Sequence, residues 1–219
     1  MIPTPEIAHL RRKEYADHVY DPAEDTFALM DAIEEDGGAL QALGASLCVE
    51  IGSGSGCVSA FVARILGSSA VYLCTDINPV AAACTKETGI VNQTTLQPIL
   101  TSLVDALVPR IEGAVDLLLF NPPYVATTDE EEALEQQRAD LGGAWAGGVY
   151  GTKLLDAMMT EGLVERLLRP GGRFYLVAIR QNDPPAIVRT LQAHGLDAAI
   201  VLQRRANREQ LFIIRAIRP

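Results

Sequence analysis

A short apolar run that ends in a double proline constrains the fold of this chain most strongly. Residues 116–120 read Asp-Leu-Leu-Leu-Phe, and Asn121-Pro122-Pro123-Tyr124 follows at once. A run of this kind predicts a strand that is buried on both faces, as in parallel sheets. Because ligands of open α/β sheets bind beyond the carboxyl ends of the strands, Asn121 is expected at the ligand-binding edge.

The residue types after this strand suit the binding of one planar nitrogen. Asn121 has a side-chain carbonyl and Pro122 a backbone carbonyl, so two acceptors can meet both hydrogens of an NH2 group. Tyr124 adds a flat face against which an amide or a base can lie. Such a site would help transfer to the nitrogen mainly by positioning it. Taken alone, the same four residues are equally consistent with a rigid turn that closes the strand.

The alternation of strands and helices predicts one doubly wound α/β domain. Strands are predicted over residues 46–51, 70–75, 96–100, 116–120 and 173–179, with a terminal hairpin between 197 and 217. Helices are predicted over residues 21–43, from the glycine-rich turn to 66, from 79, over 152–168 with a stop at Pro170-Gly-Gly172, and over 184–193. Asp21 is the predicted N-cap of the first helix, with Pro22 at its first position. Residues 1–18 show no clear periodicity and are predicted to form an arm before a single domain at 19–219.

Composition limits the class of protein. With 219 residues, 48% of them hydrophobic, the chain can bury a full core. A formal net charge of −10 disfavours nucleic acid as a partner. Because the whole chain is acidic, Arg204, Arg205 and Arg208 are interpreted as a solvated turn and not as a nucleic-acid site. The four cysteines form no C-x-x-C pair, and no signal peptide or long apolar span occurs. Buried thiols in a reducing compartment are therefore expected, in the cytoplasm or also the nucleus.

A glycine-rich turn and an acidic residue suggest a nucleoside site. Gly52-Ser-Gly54-Ser-Gly56 follows the first strand with G-x-G-x-G spacing, which differs from the G-x-G-x-x-G of dinucleotide sites. Asp76 ends the second strand about 20 residues later, where a carboxylate accepts hydrogen bonds from ribose hydroxyls. Asp76 is also consistent with an N-cap for the helix near Pro79. Likewise, Glu24-Asp25-Thr26 either receives a ligand carboxylate or only caps its helix.

The predicted third strand, Leu96-Gln97-Pro98-Ile99-Leu100, is expected at an edge of the sheet. Pro98 lacks the N–H needed for a central position. An uncharged apolar edge is poorly protected against pairing, so either a partner protein or the chain's own loops should cover it.

The segment after Tyr124 contains an acidic run and the only tryptophan. The run at 129–132 is interpreted as solvated surface. Trp145, before Gly147-Gly148, either accommodates an approaching peptide or fills the core.

The motifs at residues 49–56, 74–79 and 121–124, in this order, resemble a class I S-adenosylmethionine-dependent methyltransferase of the HemK type. Residues 19–26 and 144–148 strengthen the resemblance. The chain is similar to the short eukaryotic and archaeal branch, which methylates the glutamine of the Gly-Gly-Gln loop in the class 1 peptide chain release factor. The resemblance implies a Rossmann-like seven-stranded mixed sheet with helices on both faces and a terminal antiparallel hairpin.

The resemblance also implies roles for individual residues, with S-adenosylmethionine as cofactor, S-adenosylhomocysteine as product and no metal. Asn121, Pro122 and Tyr124 would be catalytic, and Pro123 and Trp145 would join them in binding substrate. The implied cofactor residues are Thr26, Glu50, Gly52, Gly54, Asp76, Ser102, Leu103 and Asn121. Family members usually have Asp where Ser102 stands, so a weaker or water-assisted contact to adenine is expected.

Finally, the resemblance implies a small zinc-binding activator subunit that pairs with the edge strand near Leu96–Leu100 to form a heterodimer. The expected reaction is a direct methyl transfer to nitrogen without a dedicated base. The alternatives are methylation of a protein lysine, N6-methylation of a nucleic-acid adenine at the same Asn-Pro-Pro-Tyr site, and a non-catalytic nucleotide-binding subunit.

Overall fold

One mixed sheet of seven strands organises the protein. The computed structural model describes residues 2–122, 158–159, 161–206 and 209–219. The strands are β1 Leu47–Ile51, β2 Val71–Asp76, β3 Leu96–Leu100, β4 Val115–Phe120, β5 Leu168–Ile179, β6 Asp197–Ala206 and β7 Glu209–Ile217. Their order is β3-β2-β1-β4-β5-β7-β6, with β1 to β5 parallel and β7 antiparallel to both of its neighbours. The predicted mixed sheet, its terminal hairpin and the edge position of β3 are confirmed.

Helices lie on both faces of the sheet. They are α1 Lys13–Ala16, α2 Glu24–Glu35, α3 Gly37–Ala42, α4 Cys57–Leu66, α5 Pro79–Val91, α6 Leu163–Leu167 and α7 Pro184–Ala193, with short 3₁₀ helices at Ala8–Arg11 and Arg180–Asn182. In the part of the chain that the structure describes, no helix is both long and apolar enough to cross a membrane. All four cysteines are buried free thiols, as predicted.

The central strand β4 contributes side chains to both layers of the core, one on each face of the sheet. All of its residues are buried, which confirms the predicted interior strand. Because side chains alternate along a strand, Leu117 and Leu119 pack in the layer that contains α2 and α4. Leu118 and Phe120 pack in the opposite layer with α6 and α7.

The first long helix differs from its prediction at both ends. It begins at Glu24 with Ala23 as N-cap and no capping side chain, so Asp21 as N-cap and Pro22 at the first helical position were wrong. The segment before the helix instead places the Tyr20 hydroxyl on Asp25, 3.1 Å from Oδ1. The helix also ends at Glu35, and a separate helix follows at Gly37–Ala42, where one helix to Leu43 was predicted.

Strand β5 begins earlier than predicted because its glycines form an irregularity within the sheet. The strand starts at Leu168 and includes Gly172, and its pairing with β4 shifts register between Val115 and Leu117. A Cβ atom on Gly172 would lie 2.7 Å from the Val115 carbonyl oxygen. Glycine therefore permits two backbones to approach at a bulge, where the sequence suggested a helix stop.

The arginines near the terminal hairpin are also placed differently from the prediction. Arg204 and Arg205 lie in β6, and Arg204 is ion-paired with Asp31 of α2. They are therefore part of a strand and not of a turn, while Arg208 falls outside the described residues.

Residues 2–19 pack against the rest of the molecule through α5. Leu10, Tyr15 and Val19 form an apolar cluster with Ala81 and Cys84 of that helix. The segment predicted to be an arm therefore buries its own apolar side chains. The sequence did not predict this burial, because residues 1–18 show no clear hydrophobic periodicity.

Candidate functional site

Four neighbouring parallel strands bring the predicted site residues to one edge of the sheet. β3, β2, β1 and β4 are adjacent and run in the same direction. Their carboxyl ends lead directly into the predicted residues, which are Ser102 and Leu103 after β3, Asp76 at the end of β2, Gly52 after β1 and Asn121 after β4. The sheet topology thus explains how residues from distant parts of the chain form a single candidate site.

The glycine-rich turn has a backbone conformation that favours glycine and leaves space beside Gly52. Gly52, Gly54 and Gly56 have φ angles of +65°, +51° and +73°, a region that favours glycine. Among the described residues, a Cβ on Gly52 would meet no atom closer than the Phe120 ring at 4.0 Å. Within that part of the chain, the Gly52 backbone therefore leaves room for a ligand to approach closely, as the predicted cofactor site requires.

Asp76 is fixed by the backbone around it. Its Oδ2 accepts from the Gly54 N–H at 2.9 Å and its Oδ1 from the Asn78 N–H at 2.8 Å. Burial raises the pKa of this half-buried carboxyl, and the backbone hydrogen bonds oppose that effect. The N-cap of α5 is Asn78, whose side chain accepts from the Val80 N–H, so the N-cap interpretation of Asp76 was wrong. Asp76 is held in one orientation beside the turn.

Glu50 lies beneath the turn and is buried, with 4% exposure. The Ser59 N–H donates to Glu50 Oε2 at 3.0 Å, and the Ser59 hydroxyl donates to the same oxygen. These bonds favour the carboxylate, but burial outweighs them and raises the pKa of Glu50 to about 7. Because this pKa lies near neutral pH, a charge placed near Glu50 would change its protonation.

The first turn of α2 faces the end of β4. Thr26 is buried there, and its hydroxyl lies 3.4 Å from Asp25 Oδ1, to which it donates. Asp25 is also buried, and its Oδ2 accepts from the Asn121 side-chain N–H at 2.9 Å. Neither of the two interpretations of this turn included a contact between Asp25 and Asn121.

Asn121 keeps one side of its amide free. Its Nδ2 is bound to Asp25, while its buried Oδ1 has no hydrogen-bond partner among the residues that the structure describes. Buried polar atoms are rarely left unpaired, so this acceptor at the ligand edge is suited to a donor from a ligand. The predicted role of Asn121 in binding a ligand stays a prediction.

Two threonines of α5 support the glycine-rich turn and were not predicted. The Thr85 hydroxyl donates to the Gly54 carbonyl at 3.1 Å, and the Thr88 hydroxyl donates to the Ser55 carbonyl at 2.5 Å. A Cβ on Gly56 would lie 3.0 Å from Thr85 Cα, so this glycine also allows the helix to approach. Threonines three residues apart on a helix were the available signal, but many helices share that pattern.

The remaining predicted residues lie after β3, next to Asn121, or outside the described residues. Ser102 and Leu103 are half-buried after β3, and Leu103 has a φ of +43°. Pro122 is buried next to Asn121. Pro123, Tyr124, Trp145 and the acidic run at 129–132 lie outside the described residues. Among the described side chains, no cluster of His, Cys, Asp or Glu is arranged to hold a metal ion.

The free edge of β3 is a second candidate surface. Among the strands that the structure describes, β3 pairs only with β2, and Leu100 at its end is 60% exposed. Because the Thr101 N–H donates to Asp76 O of β2, strand alternation places Pro98 with its missing N–H on the outer side. The proline therefore costs the sheet no internal hydrogen bond, and the outer edge stays available for pairing.

Comparison with known proteins gives one consistent family. Residues 26–139 match the family model described as methyltransferase small domain. The human protein "Methyltransferase HEMK2" is 46% identical over 212 residues, which cover 97% of this chain and 95% of that protein. The "eRF1 methyltransferase catalytic subunit mtq2" of Schizosaccharomyces pombe is 36% identical over 230 residues, covering 100% of this chain and 96% of that protein.

Solved structures agree on the fold. One chain of the E. cuniculi Mtq2-Trm112 complex, described as responsible for methylation of the eRF1 translation termination factor, superposes with a TM-score of 0.65. It is 23% identical, and the match covers 92% of this chain and 99% of that chain.

Proposed function

The chain belongs to the HemK-type family of class I S-adenosylmethionine-dependent methyltransferases, and we propose that it methylates the glutamine of the Gly-Gly-Gln loop in the class 1 peptide chain release factor. The observation that supports this acceptor most directly is the buried Oδ1 of Asn121, which has no hydrogen-bond partner among the described residues and lies at the ligand edge of the sheet. A donor such as the NH2 of a side-chain amide would satisfy it. The relative named eRF1 methyltransferase catalytic subunit mtq2, of which the match covers 96%, supports a release factor as the substrate protein.

The cofactor would bind along the ends of β1, β2 and β3. Its methionine end would meet Thr26 and the Gly52 backbone over Glu50, its ribose would meet Asp76, and its adenine would meet Ser102 and Leu103. The open space over Gly52 and the fixed carboxylate of Asp76 fit this placement. When bound, S-adenosylmethionine supplies a methyl group that its sulfonium has already activated.

The protein's part in the reaction would be to hold the acceptor amide. Asn121 Oδ1 and the Pro122 carbonyl would accept the two N–H hydrogens of the glutamine, with its plane against Tyr124 and with Pro123 and Trp145 alongside. An amide nitrogen is a weak nucleophile because its lone pair is shared with the carbonyl. Polarising both N–H bonds while fixing the nitrogen toward the methyl group would offset this weakness. The proton would leave to water.

We further propose that a small zinc-binding activator subunit covers the outer edge of β3; the similar E. cuniculi Mtq2-Trm112 complex supports a second subunit. The exposed apolar residue Leu100 and the outward-facing Pro98 suit the addition of a strand from another chain. The heterodimer would work in the cytoplasm, where its release-factor substrate acts, and in the nucleus if it is transported there.

The experiment that tests this function uses the chain co-expressed with its activator and labelled S-adenosylmethionine. The release factor and its Gln→Ala loop variant are offered in parallel, and Asn121→Ala is the control enzyme. We expect label on the release factor alone, no transfer by Asn121→Ala, and cofactor affinity of that variant within about threefold of wild type.

Three results would contradict the proposal. Label on both release-factor proteins would mean another acceptor, with lysine as the first to examine. No label on either, with cofactor bound normally, would direct the search to other proteins and to nucleic-acid adenine. A chain that binds no cofactor would be the non-catalytic subunit.

A further inference from the structure

Hydrogen bonds connect three side chains between the surface and the proposed acceptor site. The Tyr20 hydroxyl donates to Asp25 Oδ1 at 3.1 Å, and Asn121 Nδ2 donates to Asp25 Oδ2 at 2.9 Å. Asp25 is 4% exposed, so both bonds lie at a carboxylate removed from water. The proposed function gives no role to Tyr20 or Asp25, and the sequence named Asp25 only as part of the turn Glu24-Asp25-Thr26.

The Asp25 carboxylate determines which way the Asn121 amide faces. A carboxylate only accepts hydrogen bonds, so it can be satisfied by Nδ2 of the amide and not by Oδ1. Oδ1 is consequently directed away from Asp25, and this is the atom that has no partner among the described residues. If the Asn121 amide were reversed, its NH2 would face the NH2 of the acceptor, so that two donors would meet. Its Oδ1 would then face the carboxylate oxygen of Asp25, and two acceptors would meet there.

Tyr20 holds the second oxygen of the carboxylate. Its side chain is 59% exposed, so the ring is anchored chiefly at the hydroxyl. Burial of that hydroxyl raises the pKa of Tyr20, with the charge of Asp25 as the next cause, so the phenol stays a donor. Thr26 donates more weakly to the same oxygen, at 3.4 Å. With Oδ1 occupied in this way, Oδ2 is left to bind Asn121.

We propose that Asp25 is a positioning residue that sets the orientation of the Asn121 amide, and that Tyr20 fixes Asp25 in turn. The inference rests on the proposed glutamine acceptor, since its purpose is to present Oδ1 to an NH2 group. It also explains why the hydroxyl of Tyr20, an exposed aromatic residue before α2, is bound to Asp25.

The test compares Asp25→Asn and Tyr20→Phe in the enzyme–activator complex, with release factor as acceptor. Asparagine at position 25 offers both a donor and an acceptor, so the Asn121 amide can bind in either orientation. We expect kcat to fall about 100-fold for Asp25→Asn, as for other small misplacements of reacting groups. For Tyr20→Phe we expect a fall of about threefold to tenfold, because one oxygen of Asp25 loses its stronger donor.

The split between kinetic parameters separates positioning from a general loss of structure. KM for release factor and Kd for the cofactor should stay within about threefold for both variants, with unchanged thermal unfolding. Asp31→Asn is the matched control, because it makes the same change in the same helix at an ion pair with Arg204. Its kcat should equal that of wild type.

A reversed pair provides the decisive comparison. In Asp25→Asn combined with Asn121→Asp, residue 25 supplies the NH2 and residue 121 supplies the oxygen that faces the substrate. We expect this double variant to recover at least about tenfold in kcat over Asp25→Asn alone, whereas additive losses are expected for residues that act independently. Further loss in the double variant, or full kcat in Asp25→Asn, would overturn the inference.

The wild-type enzyme in the same assay distinguishes the two proposals. If it labels the glutamine and Asp25→Asn does so equally well, only the positioning inference fails. If wild type binds cofactor but leaves the glutamine unlabelled, the proposed acceptor fails and the inference that rests on it fails as well.

Discussion

At the scale of single residues, Glu50 links the candidate site to pH. Burial raises the pKa of Glu50 from the ordinary value of 4.5 to about 7 in the folded protein. Folding therefore favours the protonated form, and the free energy of unfolding should fall as the pH rises through this window. At about 1.4 kcal/mol for each pKa unit, the total loss is on the order of 3 kcal/mol.

Replacing Glu50 by glutamine should remove this pH dependence, because the amide does not ionise. We expect the midpoint of thermal unfolding of the cofactor-free protein to decrease less for Glu50→Gln than for wild type between about pH 5 and pH 8. Glu35→Gln, at an exposed position of α2, should follow wild type throughout. Parallel curves for wild type and Glu50→Gln would show that Glu50 ionises without cost to the fold.

At the scale of elements, the two edge strands of the sheet differ in their proposed use. β3 and β6 are both outermost, and each has an exposed apolar residue, Leu100 and Ile200. Lysine at an edge disfavours pairing with another chain. We expect Leu100→Lys to abolish co-purification with the activator, whereas Ile200→Lys should leave it intact.

Pull-down from cells that express both subunits measures this difference, with the fold of each variant checked by circular dichroism. Equal recovery of activator with both variants would place the activator elsewhere. Equal loss with both would show that reduced solubility, and not strand pairing, causes the effect.

At the scale of the whole molecule, the start of the chain is connected to the glycine-rich turn. His9 is buried, and its Nε2 lies 2.9 Å from the Thr88 hydroxyl. That hydroxyl donates its hydrogen to the Ser55 carbonyl, so it must accept from His9, whose Nε2 carries the proton. The N-terminal residues thereby support the turn through Thr88 of α5.

Removing the His9 side chain should weaken the fold and the turn together. We expect His9→Ala to lower the free energy of unfolding by about 1–3 kcal/mol, from the lost hydrogen bond and the cavity. His18→Ala is the control, because the exposed His18 should change the stability by less than about 0.5 kcal/mol. Urea titration of both variants gives the comparison, and equal stability of the two would mean that the His9 side chain contributes little to the fold.

Features that depend on neighbouring residues could be predicted from the sequence. The apolar run of β4, the glycine-rich turn and the helix at Pro184–Ala193 appear where their patterns placed them. Hydrophobic periodicity and turn chemistry are local properties, so the alternation of strands and helices could be read before any contact was known. The parallel order of the strands then brought Asp76 and Asn121 to the same edge, as the pattern predicted.

The tertiary structure decided what depends on contacts between distant residues. Asp25 and Asn121 are 96 positions apart, and only packing shows that one orients the other. Burial among residues from several strands and helices sets the pKa of Glu50. The early start of β5 follows from the close approach of Gly172 to β4. A local pattern contains no information on such contacts, because burial, hydrogen-bond partners and charge environments exist only after the elements have packed together.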